Sequence, residues 1–140
     1  MPPRILLIED IAATREPLAD LLRRKGYAVD EAGDGAHGLA VLRQHPDTSV
    51  IVLDLLMPHT DGWWFREQQL RDPEIASVPV IVFSVAGSGD LLKHALKAAA
   101  VLQKPSSIDD LFAAIEVCCG PGRDEQVLGP SATRGRGTGD

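Results

Sequence analysis

The 140-residue chain reads as a doubly wound α/β protein, a (βα)5 unit built on a five-stranded parallel sheet. Two observations predict this. Five short apolar runs recur, RILLI (4–8), YAVDEA (27–32), SVIVLD (49–54), VPVIVF (78–83) and AAVLQ (99–103), and four of them are dense in Val, Ile and Leu without alternation. Such runs suit strands buried on both faces. Segments with helical spacing fill the gaps, and right-handed crossovers then place helices on both faces of one sheet.

The elements follow in order. RILLI runs directly into Glu9 and Asp10. Leu18, Leu21 and Leu22 share a face of a helix predicted over 14–25, with Thr14 as N-cap, Pro17 in the first turn and Gly26 as its stop. The second run alternates more and is placed nearer a sheet edge. Ala36, Leu39, Ala40 and Leu42 mark the second helix. The third run ends in Asp54, and Trp63, Phe65 and Leu70 mark the helix after it. Trp63 is placed in the core there, with Trp64 facing either solvent or a partner. The fourth run ends at Ser84, followed by a helical stripe of Leu91, Leu92, Ala95 and Leu96. The fifth meets Lys104 and Pro105. Ser106 or Ser107 then caps a last helix with Asp109 and Asp110 in its first turn and a stripe of Ile108, Leu111, Phe112 and Ile115.

Composition bounds the function. The domain is placed at 1–119, and residues 120–140 are read as a Gly/Pro/Arg-rich flexible tail with too little apolar surface to order itself. That tail is too short and polar for a DNA-binding output domain or an enzyme. The expectation is a chain that acts by docking: a stand-alone receiver of signals, a relay intermediate, or a piece of a longer protein. A net charge of −6 and a pI near 5.1 argue against direct nucleic-acid binding or an acidic membrane surface. MPPRILLIED carries no signal peptide or membrane span. Cys118 and Cys119 are adjacent and point apart on a helix, so they are read as reduced packing residues of a cytoplasmic protein.

In such a sheet the strand-end residues gather at one edge. Here that edge holds Glu9, Asp10, Asp54, Ser84 and Lys104. Crowded carboxylates are costly unless positive charge sits among them. Lys104 supplies one charge, and a hard divalent ion such as Mg²⁺, bound by oxygen ligands and water, supplies the rest. An acidic pocket with Mg²⁺, a hydroxyl and a lysine suits phosphoryl transfer, with Asp54 on the central strand as the nucleophile.

Residues 4 to about 119 resemble a response-regulator receiver domain of two-component signalling, a fold of flavodoxin-like topology. The resemblance rests on ILLIED, RKGYAVDEAGDGAHGL, VLDLLMPHTDG, VIVFSV and LQKP, in this order and spacing. It implies that Asp54 accepts a phosphoryl group from a histidine kinase or histidine phosphotransfer protein. Asp10, Asp54 and the backbone carbonyl of Leu56 would ligate Mg²⁺, with Glu9 acting directly or through water. Ser84 would bond a phosphoryl oxygen. Lys104 would pair with Asp54 and then with the phosphoryl group, aimed by Pro105, and Met57-Pro58 and Asp61-Gly62 would shape the loop after Asp54. His59, in that loop, is read as solvent-exposed. The implied output is phosphorylation-dependent binding of a further protein by a monomer or weak homodimer, with only self-phosphorylation and autodephosphorylation as chemistry.

Two departures from the family pattern stand out. The residue three before the lysine, usually Tyr or Phe, is Val101, which is small and stiff and cannot make the usual inward swing. Leu56 and Ala86 occupy positions that tune attack of water, and neither can orient water by a hydrogen bond. The alternative reading is a pseudo-receiver, a phosphorylation-independent binding scaffold. A dehalogenase-like phosphatase would need an acid where Leu56 stands. A flavodoxin-like cofactor binder would need a phosphate loop where Glu9-Asp10 stands.

Overall fold

The structure, a computed structural model, describes residues 2–54, 61–84, 97–103 and 108–119, with backbone alone at Asp61, Phe83, Ser84 and Gln103. Its elements are β1 (Arg4–Ile8), α1 (Ala12–Arg24), β2 (Ala28–Ala32), α2 (Gly35–Gln44), β3 (Val50–Asp54), α3 (Asp61–Arg71), β4 (Val80–Ser84), β5 (Ala100–Gln103) and α4 (Ile108–Cys119). The five strands form one sheet in the order β2-β1-β3-β4-β5, and every neighbouring pair is parallel. The expected architecture is therefore present, and the alternating second run is indeed an edge strand. The stripe at Leu91, Leu92, Ala95 and Leu96, the caps Ser106 and Ser107, and the tail 120–140 lie outside the described residues.

Side-chain alternation along the strands divides the core in two. Leu6, Ile8, Ile51, Leu53, Val80 and Val82 pack with Leu39 and Leu42 of α2 and Phe65 of α3. Ile5, Leu7, Val50, Val52 and Ile81 face the other way, against Ala19 and Leu22 of α1 and Leu111 and Ile115 of α4. β3 is buried along its whole length, which is why its sequence shows no polar alternation. The stripe read on the last helix holds: Leu111 and Ile115 are buried, with Ile108 and Phe112 packed beside them. Cys118 and Cys119 are not joined in a disulfide and pack against the same cluster, with Cys119 Sγ donating to the Ile115 carbonyl at 3.3 Å.

Three local readings are corrected. α1 begins at Ala12 rather than at residue 14, because the Ile11 carbonyl already accepts the N–H groups of Thr14 (3.0 Å) and Arg15 (2.8 Å). Thr14 is thus inside the helix and caps nothing, and Pro17 lies past the first turn. The Ala13 carbonyl that loses its bond there belongs to an exposed residue that water can serve. Gly26 does end the helix. At φ 100° it lets its own N–H reach the Arg23 carbonyl (3.0 Å) and that of Tyr27 reach the Leu22 carbonyl (3.2 Å), a Schellman closure that only Gly adopts cheaply.

On α2 the buried residues are Gly35, Gly38, Leu39 and Leu42, so Ala36 and Ala40 face out. Gly38 sits so close to β1 that a Cβ there would meet Ile8 Cδ1 at 2.5 Å. On α3 Trp63, expected in the core, is exposed, as are Trp64 and Leu70, while Phe65, Arg66 and Gln69 are buried. The buried face follows 62, 65, 66 and 69, a regular helical stripe hidden by its polar members. Gln69 donates to the carbonyls of Ile75 (2.8 Å) and Val78 (3.0 Å). Arg66 donates to Gln69 Oε1 (2.6 Å) and to the carbonyl of Lys97 (2.8 Å). Satisfied in this way, the two polar side chains can occupy a core face that apolar residues usually take.

Candidate functional site

The strand register brings the acids together. Ile8 pairs with Leu53, so Glu9 and Asp54 are the next residues on neighbouring strands at the carboxyl end of the sheet. The chain leaves β1 for β2 on one side and reaches β3 on the other, which makes this the topological switch point. The Glu9 N–H continues the ladder to the Ala32 carbonyl (3.0 Å). Glu9 and Asp54 are both 3% exposed, whereas Asp10 is open to solvent.

Carboxylate oxygens of Glu9, Asp10 and Asp54 all lie within 4.8 Å of one another. Burial pushes the Glu9 carboxyl up to about 8, and a hydrogen bond to Asp54 and repulsion from its charge add to the rise. The Ile11 N–H, donating to Glu9 Oε2 at 3.3 Å, works against it. Metal-free, the pocket therefore keeps a proton on Glu9 at neutral pH. Replacing that proton by a divalent cation would relieve the same crowding. The donor set is entirely oxygen, with two buried carboxylates and a third at the mouth, and it fits a hard cation.

The remaining residues read from the sequence are placed as follows. Ser84 is the last residue of β4, and its backbone pairs in register with Gln103, the last of β5. Leu56, Lys104 and Pro105 lie outside the described residues, as do Met57, Pro58, His59 and Ala86. Val101 lies in β5 opposite Val82, half-buried against the α2 and α3 side of the core.

One residue at the site escaped sequence reasoning. Arg15 donates from Nη1 to the Glu9 carbonyl (2.9 Å) and from Nε to Glu31 Oε1 (3.2 Å). The second oxygen of Glu31 accepts from Arg23 (3.1 Å), which also holds the Val29 carbonyl (2.9 Å). An arginine four residues into a helix looks like a solvated surface residue. Only its distance to the end of β1 shows otherwise.

An open parallel sheet with an acidic pocket at the β1/β3 switch point defines a class, the doubly wound α/β proteins whose ligands sit outside the strand ends. The family model described as "Response regulator receiver domain" matches residues 5–116, and the chain belongs to that family, the receiver domains of two-component systems. It is 37% identical over 132 residues to the transcriptional regulatory protein PdtaR of Mycobacterium tuberculosis, a match covering 91% of this chain and 62% of that protein. The chain thus spans under two thirds of that relative's length. It is 29% identical over 120 residues to a probable chemotaxis protein CheY of Rhizobium etli, covering 84% of this chain and 92% of that one. The receiver domain of the Francisella response regulator 1452 superposes with a TM-score of 0.70 at 29% identity, over 83% of this chain and 95% of that one. The chemotaxis protein CheY4 of Vibrio cholerae shares the fold with a TM-score of 0.76 at 22% identity, over 84% of this chain and 99% of that one. No helix among the described residues is long and apolar enough to cross a membrane.

Proposed function

We propose that Asp54 is the phosphoacceptor of a phosphorelay, taking a phosphoryl group from a histidine kinase or a histidine phosphotransfer protein, and that the protein signals by binding partners according to its phosphorylation state. A carboxylate oxygen of Asp54 forms the bond to phosphorus as the P–N bond to the donor imidazole breaks, and the imidazole keeps the electron pair and takes up a proton. The side chains of Glu9, Asp10 and Asp54, with the Leu56 carbonyl, would hold Mg²⁺. When bound, Mg²⁺ supplies positive charge against the phosphoryl oxygens. Ser84 would donate to a phosphoryl oxygen, and Lys104, aimed by Pro105, would pair first with Asp54 and then with the phosphoryl group. The signalling unit is taken to end at 119, with 120–140 as a separate tail. The net charge of −6 favours a protein as the docking partner over nucleic acid.

The observation that carries this reading is the buried Asp54 at the end of the central strand, sharing one oxygen-lined pocket with Glu9 and Asp10. Incubation with Mg²⁺ and a small acyl phosphate, followed by intact mass measurement, tests it. One phosphoryl group should be incorporated, and Asp54→Asn should abolish it. No incorporation into the wild-type chain would favour a phosphorylation-independent scaffold instead.

A further inference from the structure

We propose that Arg15 is a positioning residue for the acidic pocket, fixing the Glu9 main chain so that Glu9 and Asp10 present their carboxylates to a divalent cation; this rests on reading the pocket as a Mg²⁺ site. The Glu9 peptide is gripped from two sides. Its N–H is held by the Ala32 carbonyl (3.0 Å) and its carbonyl by Arg15 Nη1 (2.9 Å). Arg15 is itself anchored, because Nε bonds Glu31 at 3.2 Å and Arg23 holds the other Glu31 oxygen at 3.1 Å. Its side chain is only 17% exposed. A Cβ on Gly33 would stand 3.5 Å from Arg15 Nη1, so the guanidinium runs close along the chain leaving β2.

The line Arg23–Glu31–Arg15–Glu9 thus couples α1 and the edge strand to the main chain that carries two of the three acids. A general stapling role for Arg15 is less economical, since Arg4 and Asp30, 2.8 Å apart, already join β1 to β2 at the other end. The planar fork of arginine spans a carbonyl and a carboxylate at once, which the point charge of lysine cannot do. Partners that orient a metal ligand typically change metal affinity by about 10- to 100-fold when removed.

The test compares the full chain with Arg15→Met, Arg15→Lys and, as a stability control, Arg4→Met. Two readouts are used: Mg²⁺ affinity by titration calorimetry, and amide exchange at Glu9 and Ile11 in metal-free protein relative to β3 amides. Arg15→Met should weaken Mg²⁺ about 10-fold or more and speed exchange at Glu9 and Ile11 beyond any change in β3. Arg15→Lys should recover only part, and Arg4→Met should lower stability while leaving Mg²⁺ affinity near wild type. If wild type binds Mg²⁺ and Arg15→Met binds equally well, or Arg4→Met weakens binding as much, the inference about Arg15 is overturned alone. A wild-type chain without Mg²⁺ affinity overturns the metal reading and this inference with it.

Discussion

Glu9 sits beside Asp54 with almost no access to water, and this sets a pH dependence. Its folded carboxyl titrates near 8 against an ordinary value of 4.5, so between these values the folded state holds a proton that the unfolded chain has released. The slope of stability with pH is then negative. Glu9 contributes its full share below about pH 4.5, and that share is lost as pH rises through about 8. Urea melts of the metal-free protein should show stability falling across this window, and Glu9→Gln should flatten the fall. Mg²⁺ should stabilise the protein more at pH 8 than at pH 5, because the proton on Glu9 competes with the cation. A second expectation at this scale concerns Leu56 and Ala86, which cannot orient a hydrolytic water. Once formed on Asp54 as proposed, the phosphoryl group should be at least moderately long-lived, and a half-life of seconds in Mg²⁺ would refute this.

Among the elements, α2 shows how closely the fold fits β1. Its start is held by Asp34, whose Oδ1 accepts the His37 N–H at 2.7 Å, and Gly38 lets it press onto Ile8. Gly38→Ala would place a methyl 2.5 Å from Ile8 Cδ1. Overpacking of this kind costs about 1–3 kcal/mol, against a gain of roughly 1 kcal/mol in helix propensity. We expect net destabilisation in denaturant melts, largely relieved when Ile8→Val removes Cδ1 in the same chain. Strict additivity of the two substitutions would contradict the contact. On α3, Arg66→Met should destabilise by about 2–4 kcal/mol, because buried Gln69 and the Lys97 carbonyl lose a charged donor. A melt within 0.5 kcal/mol of wild type, the range of ordinary surface substitutions, would show that network to be dispensable.

For the molecule as a whole, the phosphorylation proposed at Asp54 needs a route from one sheet edge to the surface a partner reads. Val101 pairs with Val82 and packs into the core on the α2 and α3 side. As a stiff β-branched residue it offers no large side-chain swing. NMR spectra with and without an acyl-phosphate mimic should therefore change most around the phosphorylated face. Large changes confined to β5 and the segment before it would sink this expectation.

Much of this was legible in the chain. Apolar runs without alternation located four strands and an alternating run located the fifth, β2, at an edge. The acids after β1 and at the end of β3 located the pocket, because inner strands buried on both faces leave polar residues only at their ends. The helix faces were read less well. Hydrophobicity points Trp63 to the core, yet Arg66 and Gln69 are buried instead, since the carbonyls of Lys97, Ile75 and Val78 that they bond lie outside α3 and its local patterning does not contain them. The start of α1 leaves no mark in the chain, because its first turn begins at Ile11 without a side-chain cap. The order of apolar runs and strand-end acids determined by itself the fold class, the family and the position of Asp54. Tertiary structure alone decided the proton on Glu9, the fit of Gly38 against Ile8 and the grip of Arg15 on the Glu9 carbonyl, because each depends on distances between segments far apart in sequence.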